Sequence, residues 1–145
     1  MTWAGGRALG LDLGSKRVGV AIGDRTGTIA SPLLVLHRSG SAKRDQEAIA
    51  KLVIEEGADI VVVGLPLNMN GSSGPAAQAA VGEAAALATV VGVPVVTFDE
   101  RRTTVTADQA MMQANMRAQA RRRIVDKIAA AVMLQNWLDA GGPRS

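Results

Sequence analysis

Acidic residues occupy three places in the sequence where a strand or a buried helix face would ordinarily carry an apolar residue. Asp12 lies inside ALGLDL, Asp99 and Glu100 end the run VPVVTFDE, and Asp126 interrupts RIVDKIAAAVMLQNWL. Burying a carboxylate costs on the order of several kcal/mol unless a cation or hydrogen-bond donors meet it. If these acids converge, their site needs a positively charged partner.

A divalent cation is the partner that converging carboxylates favour. At close range the carboxylates repel one another, and at least one stays protonated unless a cation binds them. Oxygen ligands suit Mg²⁺ or Mn²⁺, and two such ions about 4 Å apart would activate a water molecule and stabilise the leaving oxygen of a phosphodiester. The alternative is that each acid is a helix cap, a surface residue or half of an ion pair with Lys16, Arg101 or Lys127.

The elements that must position these acids follow from the hydrophobic patterning. The predicted elements, in chain order, are strands at 7–13, 17–23 and 28–37, a helix that ends at Gly57, a strand at 59–67, a helix at 75–91, a strand at 93–100, and helices at 104–115 and 118–139. The first two strands form a hairpin, and Pro32 is expected to interrupt the third. This order predicts an α/β fold with a mixed five-stranded sheet, three strands antiparallel and then two parallel, flanked by helices.

The last predicted helix places Asp126 on the face that should pack on the sheet. Helical spacing puts it on one face with Ala129, Ala130, Met133 and Trp137. Ligands of such sheets bind beyond the carboxyl ends of the strands. Asp126 is therefore expected to project toward those ends.

The composition is that of an ordinary globular domain. The chain has 145 residues, 48% of them hydrophobic, and no cysteine. We expect one domain over 1–145 with flexible ends at 1–6 and 141–145, and no disulfide or thiolate metal site. Since neither a signal peptide nor an apolar run of about 18 residues is present, a cytoplasmic protein without a membrane span is expected.

Cations cluster along the chain although the net charge is only +3. The clusters are Lys16-Arg17, Lys43-Arg44, Arg101-Arg102 and Arg121-Arg122-Arg123. Arginine forks match phosphate oxygens, so these clusters suit a polyanionic partner, although solvated surfaces have the same composition. Aromatic residues make up 2% of the chain. Nucleic acid would therefore be bound through its phosphates and shape more than by base stacking.

Four blocks of the sequence resemble the YqgF family, also called RuvX. The blocks are ALGLDLGSKRVGVAIGD, VVVGLPLNMNGSSG, VVTFDERRTT and IVDKIAAAVMLQNWL, and in this order they cover essentially the whole chain. The family has the ribonuclease-H-like fold. Its members are described as Holliday-junction resolvases and as nucleases that process the 5′ end of pre-16S ribosomal RNA. The resemblance implies a metal-dependent endonuclease acting on branched DNA or precursor rRNA.

By this resemblance the catalytic and metal-binding acids are Asp12, Glu100 and Asp126, with Mg²⁺ or Mn²⁺ as the cofactor. Successive strand residues face opposite ways, so Asp99 and Glu100 are not both expected to reach the same ion. Asp99 is therefore kept only as an alternative to Glu100. The candidate nucleic-acid contacts are Gly14, Ser15, Lys16, Arg17, Asn68, Arg101, Arg102, Arg121, Arg122, Arg123 and Lys127. A homodimer is expected, since symmetric cleavage of a four-way junction needs two active sites. Transcription or ribosome-maturation proteins are further candidate partners.

Two other classes of function stay open on the sequence. One is a non-catalytic binding module that acts with transcription or ribosome-maturation proteins, which would leave the three acids unexplained. The other is an ATP-binding domain, because residues 8–24 also resemble the phosphate-binding hairpin of actin and sugar kinases. Those proteins use two such domains, whereas this length accommodates one, and Asp126 fits the nuclease better.

Overall fold

A computed structural model of the protein describes residues 6–66, 74–99 and 118–142, and the side chains of these residues apart from 118–126. Its elements are β1 (Ala8–Leu13), β2 (Arg17–Gly23), β3 (Ala30–His37), α1 (Ala42–Glu56), β4 (Ile60–Leu65), α2 (Pro75–Ala88), β5 (Val95–Asp99) and α3 (Ala118–Asp139). The predicted helix at 104–115 lies outside the described residues.

The strands form one mixed sheet in the order β3-β2-β1-β4-β5. β1 pairs antiparallel with β2, and β2 pairs antiparallel with β3. β4 lies parallel to both β1 and β5. The predicted mixed five-stranded sheet is confirmed. Because β1, β4 and β5 run the same way, their carboxyl ends lie at one edge of the sheet, which we call the carboxyl edge.

The two faces of the sheet pack against different helices. Alternate residues such as Leu9 and Val61 join a core with Ile49 of α1 and Leu87 of α2. The intervening residues, among them Ala8 and Val62, join a second core with side chains of α3. This alternation follows from the period of two along a strand, and it lets each strand residue be assigned to the α1/α2 face or to the α3 face.

β3 runs without a break through Pro32, contrary to the interruption expected there. Pro32 pairs with Ala21, and the disturbance takes the form of a register shift between Val20 and Ala21. β3 is an edge strand, so the missing N–H of proline need not remove a ladder hydrogen bond. The bulge absorbs the irregularity while the strand continues to His37.

Local signals explain where the helices begin and end. The Ser41 side chain accepts a hydrogen bond from the Arg44 amide at the start of α1, and Gly57 ends the helix with a left-handed φ of 63°. α2 ends at Ala88, three residues before the predicted end, and α3 spans its predicted range. None of the helices among the described residues is long and apolar enough to cross a membrane.

Candidate active site

Asp12 lies one residue before the end of β1, the central strand of the sheet. Its side chain is half-buried. Ala8 belongs to the α3 core, and Gly10 faces Leu134 of α3, so the alternation puts Asp12 on the same face. The carboxylate predicted to bind metal is therefore at the carboxyl edge, on the side covered by α3.

Glycines flank Asp12 on both neighbouring strands. Asp12 pairs with Gly19 of β2, and the Leu11–Val63 pair makes Gly64 its next neighbour on β4. Both glycines are buried, so the two positions that directly flank Asp12 on β2 and β4 carry no side chain. The sequence reasoning missed this row, although a glycine inside an apolar strand is a signal that a ligand or another chain approaches closely.

α3 runs antiparallel to β1, and this direction brings its amino-terminal half toward the carboxyl edge. A Cβ built on Gly23, which lies beside Ala8, would be 3.8 Å from Leu138, and one built on Gly10 would be 3.0 Å from Leu134. Moving back along the helix from Leu134 therefore means moving forward along β1.

Position 126 of α3 lies about one helical turn beyond the level of Asp12, in the direction of the carboxyl edge. One helical turn back from Leu134 is ~6 Å and reaches Ala130, while two strand residues forward from Gly10 are ~7 Å and reach Asp12. Position 126 is one further turn along the helix. Ala130, Met133 and Trp137 are buried, as predicted for the face on which Asp126 was placed. The side chain of Asp126 itself is outside the described residues.

Asp99 ends β5 and pairs with Leu65 of β4, so it also lies at the carboxyl edge. Val96 and Phe98 pack against the α3 core, and the alternation assigns Asp99 to the α1/α2 face. Asp12 and Asp99 are therefore on opposite faces. Glu100 lies outside the described residues. Within the described part of the chain, no group of three acidic or histidine side chains is close enough to hold a metal ion.

The turn between β1 and β2 projects from the carboxyl edge. The Gly14 amide donates to the Arg17 carbonyl at 2.9 Å, which closes the turn. A Cβ at Gly14 would lie 2.6 Å from that same carbonyl oxygen, so this position requires glycine. Ser15 and Lys16 are exposed. The Gly14 amide is used inside the turn, whereas Ser15 and Lys16 are accessible to a phosphate.

Arg38 ties this turn to α2, a connection that the sequence reasoning missed. Its Nε donates to the Gly14 carbonyl at 2.7 Å, and its two Nη atoms donate to the Glu83 carboxylate at 2.9 Å each. Arg38 directly follows β3, and no local sequence signal links it with Glu83, 45 residues away.

The loop beside this turn is held by a carboxylate. Asp45 accepts hydrogen bonds from the Ser39 amide at 2.9 Å and the Ser39 hydroxyl at 2.8 Å. These two bonds, the amide first, lower the pKa of Asp45 below its usual value, and the positive charge of Arg38 acts in the same direction. An open hollow lies between this loop and the turn, and Lys16 and His37 are among the residues that line it.

Most of the remaining predicted contacts fall beyond what the structure describes. Lys127 is half-buried in α3, and Arg17 is half-buried on the α3 face. The residues outside the described part are Asn68, Arg101 and Arg102, together with the side chains of Arg121, Arg122 and Arg123. His37 pairs with Arg17 at the same edge as Asp12.

Comparisons with known proteins identify the family that the chain matches. Residues 6–140 match the family model described as "RuvX: Holliday junction resolvase". A protein of Pelotomaculum thermopropionicum is 43% identical over 136 residues, which cover 94% of this chain and 88% of the relative. A protein of Myxococcus xanthus is 43% identical over 137 residues, covering 94% and 90%. Both relatives carry the name "Putative pre-16S rRNA nuclease".

A solved structure has the same fold at low sequence identity. It is described as "T. thermophilus RuvC in complex with Holliday junction substrate" and superposes with a TM-score of 0.57. The sequence identity is 16%, and the match covers 93% of this chain and 96% of the other. The ribonuclease-H-like fold implied by the sequence resemblance is confirmed by this likeness.

Proposed function

Because the chain belongs to the RuvX family, we propose that it is a metal-dependent endonuclease that hydrolyses phosphodiesters in structured nucleic acid. The observation that carries the proposal is the placement of Asp12. Its carboxylate is half-buried at the end of the central strand, between two glycines and on the face covered by α3. An acid in this position has the surroundings of a ligand site, because the two strand positions that directly flank it carry no side chain.

The proposed metal ligands are Asp12, Glu100 and Asp126. Asp99 faces away from Asp12, and this supports choosing the next residue, Glu100, while Asp99 stays in reserve. The direction of α3 supports Asp126, because position 126 lies about one helical turn beyond the level of Asp12, toward the carboxyl edge. Bound Mg²⁺ or Mn²⁺ would supply an activated water and stabilise charge on the leaving oxygen. An all-carboxylate donor set fits these hard ions, since oxygen ligands suit them.

The chain's own residues would orient the substrate beside the acids. Lys16 is exposed on the turn that follows Asp12, where its ammonium can meet a backbone phosphate. Arg17 lies on the α3 face, two residues before Gly19 on the neighbouring strand. We assign both cations to phosphate binding. Four-way DNA junctions and precursor rRNA both present such phosphates, and the proposal includes both as candidate substrates.

We further propose that residues 1–145 form one nuclease domain acting in the cytoplasm. Strands from the first half of the chain and α3 from its end pack in one core, which supports a single unit. A homodimer is part of the proposal for junction cleavage, because two scissile bonds require two sites.

The proposal is tested by offering the purified protein three substrates, each with Mn²⁺ or Mg²⁺. The substrates are a four-way junction, a linear duplex of the same sequence and a pre-16S leader RNA. We expect the protein to cleave a structured substrate and the isosteric variant Asp12→Asn to lose this cleavage. Circular dichroism checks that the variant keeps the fold. Cleavage of RNA alone would identify the substrate as precursor rRNA. Tight binding without cleavage would instead support a binding module, and ATP binding without cleavage an actin-like domain.

A further inference from the structure

We infer that Arg38 is a positioning residue for the proposed reaction, because its guanidinium holds the turn after Asp12 against α2. The inference rests on the proposed function, since it concerns the same edge of the sheet. Nothing in the family resemblance points to Arg38, which lies outside the four sequence blocks. Its contacts alone carry the assignment.

Arg38 makes hydrogen bonds to both sides of the turn. Its Nε donates to the Gly14 carbonyl at 2.7 Å, and its backbone amide donates to the Lys16 carbonyl at 2.9 Å. The Gly14 amide bonds to the Arg17 carbonyl within the turn. The segment from Gly14 to Arg17 is therefore held both by its own hydrogen bond and by Arg38, which lies outside the turn.

Glu83 of α2 holds the Arg38 guanidinium in place. Both Nη atoms donate to its carboxylate oxygens at 2.9 Å, in the parallel fork that arginine and carboxylate favour. Each of the two side chains is only 21% exposed. Bonds of this kind are shorter and stronger than neutral ones, and partial burial limits their screening by solvent.

This engagement separates Arg38 from the cations that would touch substrate. Its charge is matched by Glu83, and the forked edge of its guanidinium already faces a carboxylate. Lys16 and Ser15, by contrast, are exposed on the same turn. Arg38 thus sets the place of the turn, and the turn presents its own groups to the phosphate.

A shift of the turn would affect catalysis because the turn continues directly from the strand that carries Asp12. Gly14 is two residues beyond Asp12, so the end of β1 and the start of the turn move together. A displacement of about 1 Å in groups that position a reacting phosphate can lower a rate by up to about 100-fold. Loss of the Arg38 contacts should therefore lower turnover more than it weakens substrate binding.

The test compares Arg38→Gln and Glu83→Gln with Arg25→Gln, a matched control. Arg25 is exposed in the turn between β2 and β3, at the opposite edge of the sheet. We expect Arg38→Gln to lower kcat at least about 10-fold with KM within about threefold, and Glu83→Gln to act in the same direction. Arg38→Lys should recover little, because an ammonium cannot fork onto a carboxylate and reach a carbonyl together. Arg25→Gln should leave both constants unchanged.

Two kinetic outcomes overturn the inference. A raised KM with unchanged kcat would show that Arg38 serves substrate binding and not the positioning of the reacting groups. Unchanged constants in Arg38→Gln, with only a lower melting temperature, would make the contacts structural. Each assay is run well below the melting temperature of its variant.

A second readout does not depend on cleavage. Amide hydrogen exchange at residues 14–17 should be faster in Arg38→Gln and Glu83→Gln than in Arg25→Gln. If the wild-type protein cleaves nothing, the proposed nuclease function fails, while exchange still reports whether Arg38 holds the turn. Unchanged exchange in both variants overturns the inference, whatever the result for cleavage.

Discussion

Gly10 is the residue whose lack of a side chain allows α3 to approach β1. A Cβ there would lie 3.0 Å from the Leu134 Cβ and 3.3 Å from its Cδ2. Gly10→Ala should therefore lower the free energy of unfolding by about 1–3 kcal/mol through overpacking. It should also lower cleavage, because α3 carries position 126. Urea unfolding and a cleavage assay measure the two effects.

The matched control is Gly82→Ala on α2, where an added Cβ meets nothing within 4 Å. There the better helix propensity of alanine should raise stability by about 0.5–1 kcal/mol.

Leu134→Ala alone should cost about 2–5 kcal/mol because it leaves a cavity. The double variant with Gly10→Ala should cost less than the sum, and strict additivity would contradict the packing argument.

At the scale of elements, Gln135 joins α3 to the start of β3. Its Oε1 accepts from the Ala30 amide at 2.9 Å, and its Nε2 donates to the Thr28 carbonyl at 2.8 Å. Gln135→Ala should cost about 1–2 kcal/mol, since it removes partners from two backbone groups. Chemical denaturation measures the loss. Gln78→Ala, at an exposed site on α2, should change stability little, and an equal loss in both variants would contradict this role.

Two carboxylates that hold loops between elements predict a pH dependence of stability. Asp24 accepts from the Thr28 amide and the Thr26 hydroxyl, in that order of effect, and Asp45 accepts from Ser39. Both pKa values are lowered from the ordinary 3.8. A depressed folded-state pKa gives stability that is present above the unfolded pKa and lost as pH falls through the folded pKa.

Urea unfolding from pH 7 to pH 2 tests this dependence. Stability should begin to fall below about pH 4, and the fall should be shallower in the Asp24→Asn/Asp45→Asn variant. The variant and wild type should converge in acid, where the wild-type carboxylates are protonated. Parallel curves over the whole range would show that these two groups do not supply the dependence.

At the scale of the molecule, the fold could be predicted from sequence because its determinants are periodic. Alternating and continuous apolar runs predicted all five strands, and α3 occupies its predicted residues. Asp12 was recognised because a carboxylate in such a run is energetically unusual. The salt bridge between Arg38 and Glu83 could not be predicted, since it depends on how near the fold brings the end of β3 to α2. Gly19 and Gly64 each signalled a close approach in an apolar strand, but only the strand register made them neighbours of Asp12.

A metal site built from Asp12, Glu100 and Asp126 would join three distant parts of the chain, so its occupancy should be visible in the stability of the whole molecule. A ligand that binds only the folded state at 100 times its Kd adds about 2.7 kcal/mol. For a chain of this size that corresponds to a rise in Tm of roughly 5–10 °C. We expect Mn²⁺ to raise the Tm of the wild-type protein in this way and to leave Asp12→Asn nearly unchanged. Thermal scans with and without Mn²⁺ measure this effect, and an equal Mn²⁺ response in the two proteins would place the ion elsewhere.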